Sequence, residues 1–548
     1  MGPAEECDDA PPEALEEGEL RGPMDGYPRV RDCLTRPLAQ RLMEGLQARG
    51  DDVIQVYPRE GVSWTARQVL QRGLQLAAGM QMLGVKPGDR VTMVCGRHPE
   101  YGPLYFATLA VGAAWAPLNH TFDDGDLRLL LGIVEPRVVL AEREVADRLR
   151  PLLAELQSPS TLAVLCEGEE WAALATDAAP DTWPPLPPPP ADPRGAIAVV
   201  ACSSGTSGLP KACHSSHFAV FGALSIFTRD ESLDGISDTM VFTSPGFWVT
   251  GIWFTLLTMV HRTRLVYEYG CDEHQFLEAI EKNRPPVIFT ANNFLLSVAK
   301  VHEASKPRRD LSSLRSMLTG GAAISRQAEE FAASIMGAEV FNMYGMTELN
   351  GGIGMTKRSQ SKPGSVGTLG ALLRCRVVDA ATGRVCGPHE EGELRFKGPM
   401  LAQGYLKNPQ ASAELFDATG WLRTGDLGLY DEDGFFYITG RIKDTLKYRG
   451  VHVSPVDIEG VLEEHPAVHE SAVVGVPDPV EQELPRAYVV LRPGAEVAEE
   501  ELCRFVQERV APHKWLRGGV VFLKELPKTT TGKISRAAIR KQFVLQQS

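Results

Sequence analysis

The sequence predicts an α/β protein: a large N-terminal region of several sheets layered with helices, followed by a small α+β unit. Three observations carry that expectation. From about Leu38, amphipathic helical segments alternate with short apolar strands. Near Gly440–Lys443 the pattern changes to a compact succession of strands and helices, about a hundred residues long and a normal size for a separate domain. The chain has 548 residues, more than a single hydrophobic core sustains.

Taken in order, residues 1–30 read as a disordered tail, because eight acidic residues and three prolines fall before Leu20 with few large apolar side chains. Residues 31–440 form the expected N-terminal domain. There Ala66–Leu83 repeats apolar residues at helical spacing (Val69, Leu70, Leu74, Ala77, Ala78, Met82), and Gly84 stops it. Pro87-Gly88-Asp89 turns the chain into a strand over Arg90–Cys95. A helix is expected over Pro103–Ala114, an extended segment over Ala116–Leu118 and a short strand over Val138–Ala141. Residues 184–190, Pro-Pro-Leu-Pro-Pro-Pro-Pro, exclude helix and central strand and read as an extended connector. Residues 441–548 form the expected C-terminal domain, with helices over Pro455–Glu464 and Ala498–Val510 and strands over Ser471–Val476, Arg486–Leu491 and Val520–Leu523.

Composition narrows the function. A net charge of −14 argues against nucleic acid, which needs a basic face. Ten scattered cysteines with no C-x-x-C pair read as reduced thiols. His214 and His217 lack the further ligands that zinc requires. No apolar run reaches the length of a transmembrane helix, and the acidic start is neither a secretory signal nor a transit peptide. These absences, with a C-terminus that lacks Ser-Lys-Leu, make the cytoplasm the expected location.

The most informative stretch follows the apolar run Ile197–Ala201: Cys202-Ser-Ser-Gly-Thr-Ser-Gly-Leu-Pro-Lys211. A strand that opens into a hydroxyl- and glycine-rich loop can turn N–H and O–H groups toward one anion, and a lysine supplies the point charge that complements phosphate. Pro210 before Lys211 and Ala212 after it exclude the Walker A pattern.

Five further segments follow in order: Thr319-Gly-Gly-Ala-Ala323, Asn342-Met-Tyr-Gly-Met-Thr-Glu348, Gly420-Trp-Leu-Arg-Thr-Gly-Asp426, Gly440-Arg-Ile-Lys-Asp-Thr-Leu-Lys-Tyr-Arg-Gly450 and Pro527-Lys-Thr-Thr-Thr-Gly-Lys533. With the 202–211 loop they closely resemble the motifs of the adenylate-forming superfamily, which includes acyl-CoA synthetases, 4-coumarate–CoA ligases, beetle luciferases and peptide-synthetase adenylation domains. The resemblance spans roughly residues 40–540 and is strongest to the branch of 4-coumarate–CoA ligases, luciferases and fatty-acyl–CoA synthetases. It implies a two-step acid–thiol ligase that uses ATP, magnesium and coenzyme A. A fatty or aryl carboxylic acid attacks the α-phosphate to give acyl-AMP and pyrophosphate. The C-terminal domain then rotates, and the thiol displaces AMP.

The same resemblance implies roles. Ser203, Ser204, Gly205, Thr206, Ser207, Gly208 and Lys211 hold the outer phosphates. Gly321 and Ala322 pass the adenine, Asn342, Met343, Tyr344 and Gly345 flank it, and Thr347 meets the α-phosphate. Glu348 is the magnesium ligand, consistent with the hard oxygen donors that ion prefers. Asp426 accepts from both ribose hydroxyls and Arg441 reaches ribose or phosphate. Lys443 is the hinge. Lys533 serves adenylation, Lys447 replaces it after rotation, and Arg449 and Gly450 contact coenzyme A. Trp248, Thr250, Gly251, Gly321 and Gly352 line the acyl pocket, with Thr290–Phe294 and Gly354 nearby. Two departures stand out. Ala212 replaces a usual glycine, and Ser244–Gly251 carries Trp248 where 4-coumarate ligases and luciferases carry histidine. The missing imidazole weighs against luciferase-type oxygenation, and the intact lysines and carboxylates weigh against a non-catalytic adenylation fold; both stay open as alternatives.

Overall fold

Four sheets organise the chain in the computed structural model, which describes residues 19–21, 38–176, 180–203, 209–227, 239–321, 324, 326–353, 362–370, 373–449, 451–528 and 534–544. The first has eight strands, in the order Gly351–Ile353, Glu339–Met346, Ser316–Gly320, Val287–Ala291, Thr239–Phe242, Arg264–Tyr267, Val53–Tyr57 and Val62–Thr65. All neighbours are parallel except the pair at each end. The second has seven, in the order Gly404–Tyr405, Lys211–Ser216, Ile197–Ser203, Ala114–Trp115, Arg90–Val94, Val138–Ala141 and Thr161–Val164. The helices Ala66–Met82, Tyr101–Ala110 and Val249–Val260 pack among them, and Trp115, Trp253, Phe106 and Phe242 are essentially buried in the largest apolar cluster. Helices covering a parallel sheet explain why its strands are continuous apolar runs rather than alternating ones.

The predicted helix Ala66–Leu83 is present as Ala66–Met82. Thr65 accepts from the Gln68 N–H, the Gln68 side chain accepts from the Thr65 N–H, and Gly84 follows with φ +81°. The helix expected over Pro103–Ala114 instead spans Tyr101–Ala110. Pro103 falls in its first turn, where no N–H is needed, and Ala114–Trp115 is drawn off to pair with Arg90 and Val91. The strand Val138–Ala141 is as expected. Residues 184–190 adopt neither helix nor strand.

The third sheet is antiparallel, in the order Glu19–Arg21, Arg374–Val378, Gly392–Lys397, Leu422–Tyr430 and Phe436–Arg441. Its first strand corrects the reading of residues 1–30 at three positions. Glu19–Arg21 pairs with Arg374–Arg376, and the buried Glu19 carboxylate takes the Arg374 guanidinium at 2.6 and 2.7 Å. The other residues of that tail lie outside the described ones.

The fourth sheet runs Val451–Val453, Leu446–Tyr448, Gln482–Leu491 and Val468–Asp478, with Val520–Phe522 parallel to Gln482–Leu491. The helices Pro455–Glu463 and Glu499–Gln507 contribute Ile458, Leu462, Leu502 and Val506 to its core. Two of the predicted strands are longer than expected, because Val468–Asp478 and Gln482–Leu491 form one extended hairpin, and the third spans Val520–Phe522. Among the described residues no helix is long and apolar enough to cross a membrane, and the eight described cysteines are free thiols.

Candidate active site

The strand Glu339–Met346 and the short 3-10 turn Thr347–Leu349 that continues it run past three groups of polar side chains. The first joins three strands. Tyr344 OH donates to Asp426 Oδ2 at 2.5 Å, and Arg441 Nε lies 2.8 Å from Asp426 Oδ1. Asp426 and Arg441 face each other across the hairpin Leu422–Arg441, which fixes the ion pair by register. Asp426 is 3% exposed, and its own N–H donates to Thr424 Oγ1 at 3.0 Å. Burial and the Asp426 carboxylate push the Tyr344 phenol well up, so it stays a donor at neutral pH. Each carboxylate oxygen carries one partner and retains a second lone pair, so Asp426 can still accept from two ligand hydroxyls.

The second group is Lys211, Tyr405 and Glu348. Tyr405 OH donates to Glu348 Oε1 at 2.7 Å, and the Lys211 ammonium sits over the Tyr405 ring, 4.8 Å from its centroid. Burial and Glu348 together push the Tyr405 phenol up. The strand Gly404–Tyr405 is held against Lys211–Ser216 with Tyr405 opposite Cys213, which brings phenol and lysine together. Sequence reasoning does not single out Tyr405. A Gly-Tyr pair three residues before the Asn408-capped, Pro409-started helix is its only local signal.

Ser203 pairs with Lys211, so the loop between them is a hairpin connection and not a strand-to-helix turn. Ser204, Gly205, Thr206, Ser207 and Gly208 lie outside the described residues, as do Ala322, Gly450 and Lys533. Below the loop, burial pushes the Cys202 thiol up to about 12, leaving it protonated and inert. Burial holds the His217 imidazolium down at about 4, so this ring is neutral, in keeping with a structural part.

The third group is Asn342, Asn292 and Thr319. Asn292 Nδ2 donates to Asn342 Oδ1 at 3.4 Å, Thr319 Oγ1 donates to Asn292 Oδ1, and Thr319 faces Asn342 in the sheet register. Met343 and Tyr344 follow on the same strand, and Gly345 faces Gly352 across the hairpin, so no side chain projects from either position of that pair. Gly321 has φ +89°, and a Cβ added there would meet nothing within 4 Å; it is a left-handed turn facing open space.

Three acyl-pocket candidates, Trp248, Thr250 and Gly251, lie at the start of the helix Val249–Val260, which packs beside the strand Gly351–Ile353 that carries Gly352. Trp248 is the residue just before that helix and is half-buried, its ring edge-on to Phe247 with centroids 6.2 Å apart. Thr250 Oγ1 shares a hydrogen bond of 2.5 Å with Ser244 Oγ. Gly251 has a reason of its own: a Cβ there would lie 1.9 Å from the Pro245 carbonyl oxygen. It permits the tight turn and does not merely leave room for a ligand. Thr290, nearby, is buried and accepts from Thr243 Oγ1 at 2.8 Å.

The remaining candidates belong to the hinge stretch and the fourth sheet. Lys443 lies in the turn after Arg441, where Asp444 and Thr445 N–H groups both donate to the Arg441 carbonyl at 3.0 Å. Lys447 has an exposed side chain, and its N–H donates to Glu483 Oε2 at 2.8 Å. Arg449 is exposed and paired with Glu481. Lys447 and Arg449 thus pair with Glu483 and Glu481 of their own unit.

A magnesium ion would find one hard donor here, the buried Glu348 carboxylate with Oε1 already oriented by Tyr405. Among the described residues no cluster of three or more histidine, cysteine, aspartate or glutamate side chains could hold an ion alone. One carboxylate in a group that also holds a lysine fits an ion that draws its other oxygens from phosphate and water.

Comparison with known proteins agrees with this layout. The family described as AMP-binding enzyme matches residues 43–406, and the one described as AMP-binding enzyme C-terminal domain matches residues 457–533. A luciferin 4-monooxygenase of Nipponoluciola cruciata is 32% identical over 497 residues, covering 88% of this chain and 89% of that protein. A 4-coumarate–CoA ligase-like protein of Oryza sativa subsp. japonica is 31% identical over 494 residues, covering 86% and 80%. Among solved structures, ATP-bound MatB from Rhodopseudomonas palustris superposes with a TM-score of 0.82 at 24% identity, covering 94% of this chain and all of that one. The large N-terminal assembly of sheets and helices with its smaller C-terminal unit is the fold of these proteins. The chain therefore belongs to the AMP-binding enzyme family, within the adenylate-forming superfamily.

Proposed function

We propose that this protein is an ATP-dependent acid–thiol ligase that converts a fatty or aryl carboxylic acid to its coenzyme A thioester through an acyl-adenylate. The observation that carries this reading is the pair of polar groups flanking one strand end: Asp426 with Tyr344 and Arg441, and Glu348 with Tyr405 and Lys211. The first suits a ribose and the second a polyphosphate. Asp426 accepts the ribose hydroxyls while Arg441 and Tyr344 hold its carboxylate in place. Lys211 draws charge from the outer phosphates, and Thr347 donates to the α-phosphate. Magnesium held by Glu348 would supply Lewis-acid neutralisation of the phosphate oxygens.

In the first step the carboxylate oxygen bonds to the α-phosphorus, the α–β bridging bond breaks, and pyrophosphate leaves with the electron pair. Lys533 stabilises the charge in transit. In the second, the thiol sulfur bonds to the acyl carbon, the acyl–phosphate bond breaks, AMP leaves, and the thiol proton passes to solvent. Lys447, Arg449 and Gly450 serve this step after rotation at Lys443. Domains 31–440 and 441–548 are the bodies that rotate in this reading, and Trp248, Thr250 and Gly352 bound the acyl chain.

The test is acid-stimulated turnover of ATP with octanoate, palmitate, benzoate and 4-coumarate as probes. The reading expects AMP and pyrophosphate, followed by thioester when coenzyme A is added; ADP and phosphate would reject it. A second reading, oxidation of the adenylate, is suggested by the likeness to the luciferin 4-monooxygenase of Nipponoluciola cruciata. The tryptophan at position 248 in place of an imidazole speaks against it, and oxygen uptake with a luciferin-type acid separates the two.

A further inference from the structure

The C-terminal helical stretch Arg536–Val544 makes a contact that the proposed reaction leaves unexplained. Arg536 is its first residue, only 19% exposed at the side chain. Its Nη1 lies 3.3 Å from Asp444 Oδ2, its Nε donates to Glu459 Oε1 at 3.1 Å, and its Nη2 pairs with Glu459 Oε2. Glu459 is itself held, accepting the Val473 N–H at 2.7 Å on the central hairpin of the fourth sheet. Asp444 is the residue after Lys443. One guanidinium therefore ties the hinge stretch, the helix Pro455–Glu463 and the C-terminal helix to one another. The fork geometry of arginine serves three carboxylate oxygens at once, which lysine cannot reproduce.

Arg536 also stands three residues after Lys533 in sequence. On either side of residues 529–533 the chain is pinned: Lys528 bridges Ile534, and the Ser535 N–H donates to the Pro527 carbonyl at 2.8 Å. Beyond it, Ile539 is fully buried against Ala472, Val474 and Tyr488. Lys447 is held by a different residue of the same stretch: its N–H donates to Glu483 Oε2, and Glu483 Oε1 lies 3.6 Å from Arg540 Nη2, not against Arg536.

We infer that Arg536 is a positioning residue for the adenylation half-reaction: its ion pairs with Asp444 and Glu459 fix the start of the C-terminal helix, three residues after Lys533 in sequence, to the hinge stretch. This rests on the ligase reading for its catalytic consequence and on the Arg536 geometry alone for its structural one. The ion pairs lie inside the C-terminal unit, so they travel with it through any rotation at Lys443.

The experiment uses the full-length protein and the variants Arg536→Gln, Arg536→Lys and Asp444→Asn, with Lys514→Gln, which breaks the Lys514–Asp457 pair, as a comparator. Two readouts are taken. The first is hydrogen exchange of peptides covering 441–445 and 527–535. Arg536→Gln is expected to speed both together by about tenfold, corresponding to the loss of about 1.4 kcal/mol of local stability, while the helix Glu499–Gln507 is unchanged. Unchanged exchange in both peptides would overturn the tie whether or not any acid turns over. The second is the split between half-reactions with octanoate or 4-coumarate. Pyrophosphate exchange should fall about 10- to 100-fold in kcat with little change in the KM for ATP, whereas thioester formation from supplied acyl-AMP stays within about threefold. Arg536→Lys should recover only part of the exchange rate. Equal loss in both half-reactions, or the same loss in Lys514→Gln, would overturn the positioning role. Altered hydrogen exchange in the variants of a protein that turns over none of the acids would reject the ligase reading and keep the structural tie.

Discussion

Tyr405 donates its phenolic proton to Glu348 Oε1 at 2.7 Å while its ring underlies the Lys211 ammonium. One side chain thus touches both the carboxylate expected to hold a metal and the lysine expected to hold phosphate. With Oε1 held by the Tyr405 hydroxyl, the second oxygen of Glu348 is oriented by the same bond. A charge-assisted hydrogen bond of this kind contributes about 1.5–3 kcal/mol. It does so before any nucleotide arrives, which is where preorganisation acts.

Tyr405→Phe removes that bond and keeps the ring under Lys211. Acid-dependent pyrophosphate release should fall about tenfold or more, from the loss of about 1.5–3 kcal/mol of orientation. The magnesium concentration needed for half-maximal rate should rise, and thermal unfolding should be little changed. Titration calorimetry of ATP binding with and without magnesium gives a second readout. An unchanged metal dependence would remove Tyr405 from the site.

Asp426→Asn keeps the side-chain shape, but places an amide N–H₂ against either the Tyr344 hydroxyl or the Arg441 guanidinium. The amide then either meets the Arg441 guanidinium donor to donor or makes the Tyr344 hydroxyl turn and accept, and the ion pair with Arg441 is lost in both orientations, at a cost of about 1–3 kcal/mol. The KM for ATP should rise about 10- to 100-fold while the KM for the acid stays constant. Steady-state kinetics with each substrate varied in turn checks the separation. A selective rise in the acid KM would assign Asp426 elsewhere.

How much of this is legible in the sequence depends on the range of the contact. Val138–Ala141 is readable because four apolar β-formers and small residues stand between Pro136 and Glu142. The Asp426–Arg441 pair sits on one hairpin, and motif resemblance names both members. Tyr405 escapes notice because Glu348 and Lys211 are distant in sequence and converge on it only through the pairing of Gly404–Tyr405 with Lys211–Ser216. Glu19–Arg21 reads as tail because acidic, proline-containing sequence has the composition of disorder, while the strand it joins begins at Arg374. Gly251 reads as pocket volume, although its neighbour is a backbone carbonyl six residues earlier that no spacing rule reveals.

Glu329 offers a pH prediction. It is 4% exposed on the helix Arg326–Met336 and accepts the Gly364 N–H at 2.9 Å. Burial pushes its carboxyl from the ordinary 4.5 up to about 7. The folded protein therefore holds a proton between pH 4.5 and about 7 that the unfolded chain has released, so its contribution is fully present below 4.5 and is lost as pH rises through 7. Glu329→Gln retains an acceptor for Gly364 and removes the titration. The variant should match wild type near pH 5 and exceed it near pH 8 by about 1–3 kcal/mol, read as a higher thermal midpoint. Equal midpoints at both pH values would show that the carboxyl titrates normally.

Trp248 and Gly251, both in the proposed acyl region, differ in their surroundings: the Trp248 ring is half-buried, whereas Gly251 lies against the Pro245 backbone. Gly251→Ala forces a methyl to within 1.9 Å of the Pro245 carbonyl oxygen, so the 244–251 turn must open. Overpacking of this kind costs about 1–3 kcal/mol or more, and it should lower the thermal midpoint and turnover of every acid together. Trp248→Ala removes a half-buried ring whose neighbour Phe247 is already packed against His120 and Tyr269. That loss should leave stability nearly intact and raise kcat/KM for bulkier acids relative to smaller ones by about tenfold, roughly the discrimination one or two methylenes supply. A pyrophosphate-release panel from octanoate to palmitate and from benzoate to 4-coumarate measures the ratio. An equal change for every acid would show that the indole supports the turn, as Gly251 does, and does not face the substrate.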